Sequence, residues 1–463
     1  MKKKVNLLIM GGTVITVDKE RRIIVDGALA VADNRIVEVG KRADLEAAYE
    51  GVQVIDAGDK IIMPGLIDSH THFHDPVKGF IPDDVISREW VIDYMWPAIA
   101  NTDEELEYWG AMANMAYKIR TGTTCFTECG SPSVDNVVEA IKEAGVRVNL
   151  GPYIWDQIGW GKYGPPLDTT EGALQKTVDL IHKYNGHCNG KIQIFSTTEA
   201  VGTASDALLI GLKEIADEYD IWMQAHCATS TELVAATLKR TGHREVEHFN
   251  AIGILGPNLL LGHCIDLNDD EVDMLKDADV KVVMNPGAAI RQVKGITQLS
   301  KFPRMLREGI TIGIGIDSFN STCTGDLIQM ARLGIGLIRD MSMDSTIAGA
   351  EKAVEMITID GAKANGMEDR IGSLEPGKLA DIIIINPRRP EWVPMVNVIS
   401  NLIWAADGDS VDTVIVDGEI IYNQGKYKGI NIEEIVVNLE RLTADFLKKM
   451  EPYAKPKFHW PLV

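Results

Sequence analysis

His70 and His72 stand two residues apart at the end of the apolar run LIDSHTHF (66–73). On an extended strand alternate side chains share a face, so both imidazoles point the same way. His226 falls near the end of IWMQAHCA (221–228), His263 near the end of LLLGHC (259–264) and Asp317 near the end of TIGIGIDS (311–318). Each is a metal-ligating side chain closing an otherwise apolar segment. The chain has only ten histidines in 463 residues, so four at strand ends is a selective placement. One such histidine is usually a cap or a satisfied core residue. Four with an aspartate point to a metal site. Imidazole and carboxylate together suit zinc first, with iron, cobalt, nickel and manganese as alternatives. An ion held this way acidifies bound water, and the chemistry that follows is hydrolysis.

The segments between these residues decide whether they can meet. From Gly65 onward short apolar strands alternate with helical stretches, the pattern of βα units and a parallel sheet. Eight strands are predicted: 66–73, 123–129, 146–155, 191–199, 221–228, 259–264, 280–286 and 311–318. Helical segments between them include DEELEYWGAMANMAYKIR, VDNVVEAIKEAG, ALLIGLKEIADEYD, TELVAATLKRTG and NDDEVDMLKDAD. After Asp317 come DLIQMARLGIGLIRD and GAEKAVEMITIDGAKANG, both amphipathic. Eight strands with helical crossovers predict a (β/α)8 TIM barrel, which assembles its site at the C-terminal strand ends. An open doubly wound sheet is the alternative.

Residues 5–64 read as short strands: VNLLIM, TVITVD, RRIIVDGALAVA, RIVEVG, GVQVIDA and KIIMPG. Strand language returns over 371–425 in GSLEPGKLADIIIINP, ISNLIWAAD and VDTVIVDGEIIYNQG. The expected organisation is therefore a small β-sandwich formed by 1–64 and 369–430, a catalytic barrel over 65–368, and a C-terminal amphipathic helix and tail over 431–463 that packs on the body.

Acidic residues outnumber basic ones 67 to 46, a formal charge of -21, which argues against a nucleic-acid partner. The six cysteines form no CxxC pair and no disulfide framework, so a reducing, cytoplasmic setting is expected. The opening MKKKVNLLIMGG reads as a strand rather than a signal peptide, and no apolar run is long enough to span a membrane. The expected partner is a small molecule, and homo-oligomerisation is compatible with the sequence.

PGLIDSHTHF (64–73) resembles the metal motif of the amidohydrolase superfamily. GHCIDL (262–267) and GIDSFNST (315–322) resemble its later ligand strands, and EPGKLADIIII (375–385) its C-terminal sandwich motif. The resemblance covers nearly the whole chain and is nearest to the deaminase and chlorohydrolase branch. It implies one divalent ion held by His70, His72, His226 and Asp317, with His263 a further ligand or a neighbour that polarises the substrate. It also implies that Asp317 takes a proton from metal-activated water, and that His263 stabilises the charge that develops on attack. No lysine ends the fourth strand, where binuclear relatives carry a carboxylated lysine, so a mononuclear centre is expected.

Two departures bear on the reaction. The deaminases place a glutamate three residues after the fifth-strand histidine, where this chain has Thr229. The seventh strand of the family usually ends in His-Cys-Pro, and here Asn285 takes the histidine position in MNPG. Neither residue can shuttle a proton, so both are assigned to the substrate wall. Glu199, ending the fourth strand, is the first candidate for the missing donor, and Glu128, ending the second, is the next. Trp90, Trp96, Trp155 and Trp160 fall in the loops after the first and third strands, where aromatic rings could stack on a flat substrate. The expected reaction is hydrolytic deamination of a small nitrogen heterocycle. Cleavage of an amide, urea, carbamate or halogenated triazine is the first alternative, and a non-catalytic binding protein the second.

Overall fold

The first strand to carry candidate ligands, Leu66–His72, is buried at every position. Burial on both faces places a strand inside a parallel sheet covered by helices. The structure, a computed structural model, describes residues 1–158, 163–454 and 460. In it Leu66–His72 pairs in parallel with Thr123–Ser131, which is followed by Arg147–Pro152 and Ile192–Ile194. Ser196–Thr198 continues that fourth strand beyond Phe195 and pairs with Met223–Cys227. Leu259–His263, Lys281–Met284 and Ile312–Ile314 come next. Asp317–Ser318, past a two-residue break, then pairs with Thr71–His72. The two five-stranded arcs share their interrupted fourth and eighth strands, so the ring closes as a (β/α)8 barrel. The predicted strands lie within a few residues of these bounds. Among the described residues no helix is long and apolar enough to cross a membrane.

The terminal segments share one nine-stranded sheet. Lys3–Ile15 runs parallel to Tyr49–Pro64 and antiparallel to Gly27–Ala32, which forms a hairpin with Arg35–Lys41. Ile382–Ile385 adds to the other edge of Tyr49–Pro64, and Val411–Val416, Glu419–Asn423 and Lys426–Tyr427 extend it. The sheet curls until Arg35 bridges Leu379, enclosing a core that includes Leu7, Ile9, Leu29, Ile62, Ile382 and Ile384. This is the sandwich-like unit expected from the sequence.

Some details differ from the sequence reading, and RRIIVDGALAVA forms two strands, Ile23–Val25 and Gly27–Ala32. VNLLIM and TVITVD join in the one strand Lys3–Ile15, because Gly11 and Gly12 take positive φ and absorb a bulge without ending the pairing. GVQVIDA and KIIMPG likewise merge into Tyr49–Pro64. ISNLIWAAD is helical rather than extended: Val398–Ser400 continues into a wider turn over Asn401–Ala405. The reason is visible in its spacing, since Ile399, Leu402, Ile403 and Ala406 are the buried positions, a helical period. The Asn397 side chain accepts from the Ile399 and Ser400 amides and starts the helix.

The C-terminal helix Ile432–Met450 buries Leu442, Phe446 and Met450 at four-residue intervals. They join Phe80, Ile81, Trp90, Trp96 and Trp155 in one apolar cluster, with the Phe80 and Phe446 rings edge to face at 5.6 Å. This helix thereby braces the long loop that follows the first barrel strand.

Sheet and barrel are joined by a buried ion cluster. Arg147, at the start of the third barrel strand, donates from Nε and Nη2 to Asp381 (3.0 and 3.1 Å) and from Nη2 to Asp417 (2.6 Å). Asp381 precedes strand Ile382–Ile385, and Asp417 follows Val411–Val416. Removing one partner of a buried pair leaves the other charge unpaired. Arg147→Met is therefore expected to lower the unfolding free energy by about 3–5 kcal/mol in a urea titration. A loss below about 1 kcal/mol would show that this cluster does not anchor the sheet.

Candidate metal centre and substrate cavity

The barrel brings the five candidate ligands chosen from sequence, His70, His72, His226, His263 and Asp317, to one buried rim. His70 sits at the middle of this group. Its ring centroid lies 5.0 Å from that of His72, 4.8 Å from that of His226 and 5.5 Å from that of His263. Gly315, in the break of the eighth strand, permits this packing. A Cβ there would fall 2.2 Å from Asn285 Oδ1 and 2.8 Å from His70 Cβ. His263 and Asp317 both adopt positive φ, 74° and 67°. Such strained turns at non-glycine residues cost about 1–3 kcal/mol each and concentrate at functional sites.

Several contacts fix which ring nitrogen faces inward. His226 Nδ1 donates to the Glu199 carbonyl at 2.8 Å, which leaves Nε2 with a lone pair. That Nε2 lies 3.2 Å from His72 Nε2. The Gln224 amide lies 3.1 Å from His70 Nδ1, and His70 Nε2 is buried without a hydrogen-bond partner. Asp317 Oδ1 is 3.9 Å from His72 Nε2, and Oδ2 is 3.8 Å from His263 Nε2. Burial pushes His70, His72 and His263 well below the usual imidazole range, and neighbouring cationic or imidazole groups push the same way. These rings are neutral and keep a lone pair. These rings, with the unpartnered His70 Nε2 among them and an aspartate beside them, are a donor set that fits a divalent ion.

His70, His263 and Asp317 offer ligand atoms within 4.8 Å of one another, and so do His70, Cys129 and His226. The Cys129 thiol is the weaker choice, because burial and nearby carboxylates push it well above its usual range, and the thiolate is the ligand form. A third group, His72, His74 and Glu128, lies alongside. His74 was missed by sequence reading, although it extends the His70, His72 alternation by one step. Its Nδ1 donates to the Gly130 carbonyl at 3.1 Å, and burial pulls it down to about 4.

A carboxylate beneath the rim holds the seam. Asp68 accepts from the Ile316 amide at 3.0 Å and the His70 amide at 3.3 Å, tying the first strand to the eighth. Lys118, on helix Glu104–Arg120, reaches Asp68 at 2.7 Å with both side chains fully buried and also donates to Thr71 Oγ1. Burial pushes Asp68 up and Lys118 down, and each partner opposes the shift of the other.

Above the histidines lies an open-mouthed cavity that His72, His226, His263 and Asp317 line from below. Trp90, Val91, Met95 and Trp96 form one wall, from the loop that the C-terminal helix braces. Glu199, Thr229, Gln292, Lys294 and Ser321 form much of the rest. Of the other residues chosen from sequence, Trp155 is set behind the wall, edge to face with Trp96 at 4.6 Å. Asn285 faces His263 instead of the cavity, with Nδ2 3.4 Å from Nδ1. Glu128 is away from the cavity, 3.9 Å from His74 Nδ1. Trp160 lies outside the described residues. Glu199 Oε2 accepts from the Tyr153 hydroxyl at 2.8 Å and lies 3.6 Å from His226 Nδ1.

Sequence reading also missed Gln224 and Lys294. Gln224 precedes His226 by two residues on one strand, so the alternation signals its shared face. Lys294 follows the short helix Pro286–Arg291, where no periodicity marks it.

Comparison with known proteins agrees with this architecture. Residues 61–421 match the model of the Amidohydrolase family, and 27–49 match a bacterial imidazolonepropionase-like composite domain. A 5-methylthioadenosine/S-adenosylhomocysteine deaminase of Syntrophus aciditrophicus is 31% identical over 95% of this chain and 97% of its own length. A 5'-deoxyadenosine deaminase of Methanothermobacter thermautotrophicus is 30% identical over 95% and 98%. The zinc-bound structure of an adenosine deaminase from Xanthomonas campestris superposes with a TM-score of 0.90, at 24% identity over 96% and 99% of the two chains. With a family match over most of its length and a rim of neutral imidazoles beside an aspartate, the chain belongs to the amidohydrolase family and is a metal-dependent hydrolase of a carbon–nitrogen bond in a small nitrogen-containing compound.

Proposed function

We propose that the protein deaminates the amino-substituted ring of an adenosine-type nucleoside, using one zinc ion. The observation that carries this reading is the group of relatives at 30% identity or above. They align over 89% or more of the chain and are named for deaminating methylthioadenosine, S-adenosylhomocysteine or 5'-deoxyadenosine. The apolar Trp90 and Trp96 wall facing polar Gln292, Lys294 and Ser321 suits a flat base carrying a polar substituent.

His70, His72, His226 and Asp317 would hold the ion. When bound, a divalent ion brings the pKa of a coordinated water down toward neutrality. The Asp317 carboxylate faces the same space and takes the proton that the attacking water gives up. The water oxygen bonds to the ring carbon, and the adjacent ring nitrogen gains charge. His263 Nε2, on the same side as Asp317 Oδ2, hydrogen-bonds the atom that gains it. The exocyclic nitrogen then needs a proton before the carbon–nitrogen bond breaks and ammonia departs. Thr229 supplies none; Glu199, on the cavity wall and accepting from the Tyr153 hydroxyl, would relay to it the proton that Asp317 took from the water, while the water's second proton passes to the ring nitrogen, so that both carboxylates end as they began. Glu128 is the weaker candidate, because it lies away from the cavity. The second reading, release of a larger amine or a halide, is favoured by Thr229 alone, since such groups leave with less help.

Three outcomes are expected. Exhaustive chelation abolishes turnover and zinc restores it, with about one ion per chain by elemental analysis; two per chain would overturn the mononuclear centre. Asp317→Asn keeps its circular dichroism spectrum but loses turnover by about 10²–10⁴-fold, and undiminished turnover at neutral pH would mean that another group is the base. With 5'-deoxyadenosine as substrate, Glu199→Gln slows ammonia release far more than it slows release of a better leaving group from the matching halogenated purine nucleoside. Equal effects on both substrates would remove Glu199 from the donor role. Failure of the wild-type enzyme to release ammonia from any adenosine-type nucleoside, alongside turnover of a halogenated or alkylamino ring, would favour the second reading.

A further inference from the structure

The polar side of the cavity holds an amide that the protein satisfies at one end only. Gln292 lies just past helix Pro286–Arg291, is 1% exposed and lines the cavity together with Ser321. Its backbone amide donates to the Ala288 carbonyl at 2.9 Å, so the helix end fixes where the side chain starts. Its Nε2 donates to Ser321 Oγ at 2.8 Å. Ser321 is itself held twice by Ser318, through its amide to Ser318 Oγ at 3.1 Å and through the two hydroxyls at 2.8 Å. A Ser321 hydroxyl that donates to Ser318 has only lone pairs left for Gln292, so the amide nitrogen faces Ser321 and the amide oxygen is left over. That oxygen, Oε1, is buried without a hydrogen-bond partner among the described residues. A buried amide oxygen left unpaired is costly, and in a cavity wall the partner it lacks is one that a ligand brings.

We propose that Gln292 is a specificity-determining residue whose Oε1 accepts a hydrogen bond from a ribose hydroxyl of the substrate. The proposal rests on the deaminase reading and follows from the donors such a substrate has to offer. 5'-Deoxyadenosine carries them in two places only, the exocyclic amine and the 2'- and 3'-hydroxyls, because the unsubstituted ring nitrogens of the base are acceptors. The amine is the group that leaves at the metal centre. The hydroxyls are therefore what remains for an acceptor in the wall. An oxygen locked in place by Ser321 and Ser318 discriminates by what it loses. A sugar without the matching hydroxyl leaves Oε1 buried and unpaired, whereas the apolar Trp90 and Trp96 wall distinguishes the two sugars only weakly.

The test compares 5'-deoxyadenosine with 2',5'-dideoxyadenosine and 3',5'-dideoxyadenosine on the full-length, zinc-loaded protein. Removing the hydroxyl that Gln292 reads should lower kcat/KM by about 10–100-fold, mostly through KM, and removing the other should cost less. Gln292→Met is similar in length and lacks the amide oxygen. It should lower kcat/KM on 5'-deoxyadenosine by a like factor and bring the three nucleosides to within about threefold of one another. Gln292→Glu puts one oxygen where the amide oxygen stood and accepts from Ser321 with the other, so it should keep the preference. Equal turnover of all three nucleosides by the wild type overturns the proposal, as does a preference that survives Gln292→Met. Loss of the preference in Gln292→Glu also overturns it, since the amide nitrogen would then be the group that meets the substrate. If Gln292→Met does not fold, Ser321→Ala, which frees the amide to turn, is judged instead: a narrowed preference supports the proposal and an unchanged one overturns it. Isothermal titration of the chelator-treated protein with the same nucleosides separates this proposal from the reading beneath it. A hydroxyl preference in binding, with no ammonia released by the zinc-loaded protein, counts against the deaminase reading alone. Ammonia release with no hydroxyl preference counts against Gln292 alone.

Discussion

The pairing of Asp317–Ser318 with Thr71–His72 closes the ring of strands, and the site exists because that seam is closed. It joins residues far apart in sequence, one of them the aspartate ligand candidate itself. Two strand breaks allow it. The fourth strand is interrupted at Phe195 and the eighth between Ile314 and Asp317, so each contributes to both arcs. Asp68 locks the seam from below, accepting amides from both strands, and Lys118 compensates its charge. A closed ring of parallel strands has no free edge and directs all its C-terminal ends to one mouth. His72, Glu199, His226, His263 and Asp317 share that mouth for this reason.

The mouth is an expensive place to put polar groups. Unpartnered buried nitrogens such as His70 Nε2 sacrifice hydration without a replacement, which is tolerable only where a ligand will supply one. The surroundings aim the rings. The Glu199 carbonyl orients His226, the Gln224 amide orients His70, and Asn285 and Lys294 flank His263. Partners one layer out commonly determine the orientation and basicity of metal ligands. Here they come from the fourth, fifth and seventh strands and the segment after the seventh, so the orientation of each ring is as dependent on ring closure as its position is.

Sequence legibility followed the range of the physical signal. The eight strands were legible because each is a short apolar run, and the five principal site residues because each ends one. Glu199 and Thr229, chosen from their strand ends, line the cavity. Strand-end position misled for Glu128, which packs beside His74, since the end of a strand fixes height in the barrel but not which side of the wall a carboxylate meets. Trp155 was misplaced by one layer for a similar reason: an aromatic in a long loop may face the cavity or support the residue that does. ISNLIWAAD was read as a strand on composition when its spacing was helical. Lys294 and Lys118 carried no local signal at all, because their partners lie on other elements and only the closed fold brings them together.

Both ends of the chain are woven into one sheet, and this has a consequence for synthesis. Tyr49–Pro64 emerges from the ribosome early, with Ile61, Ile62 and Met63 along the edge that Ile382–Ile385 will later cover. Until those residues are made, that edge offers unpaired amides and carbonyls beside buried-type side chains, a template for joining the wrong neighbour. The interval spans translation of the whole barrel. A ribosome that stalls within the barrel therefore leaves a product whose β-unit cannot be completed, however well its helices have formed. The slower the elongation, the longer that edge would stay open to the wrong neighbour.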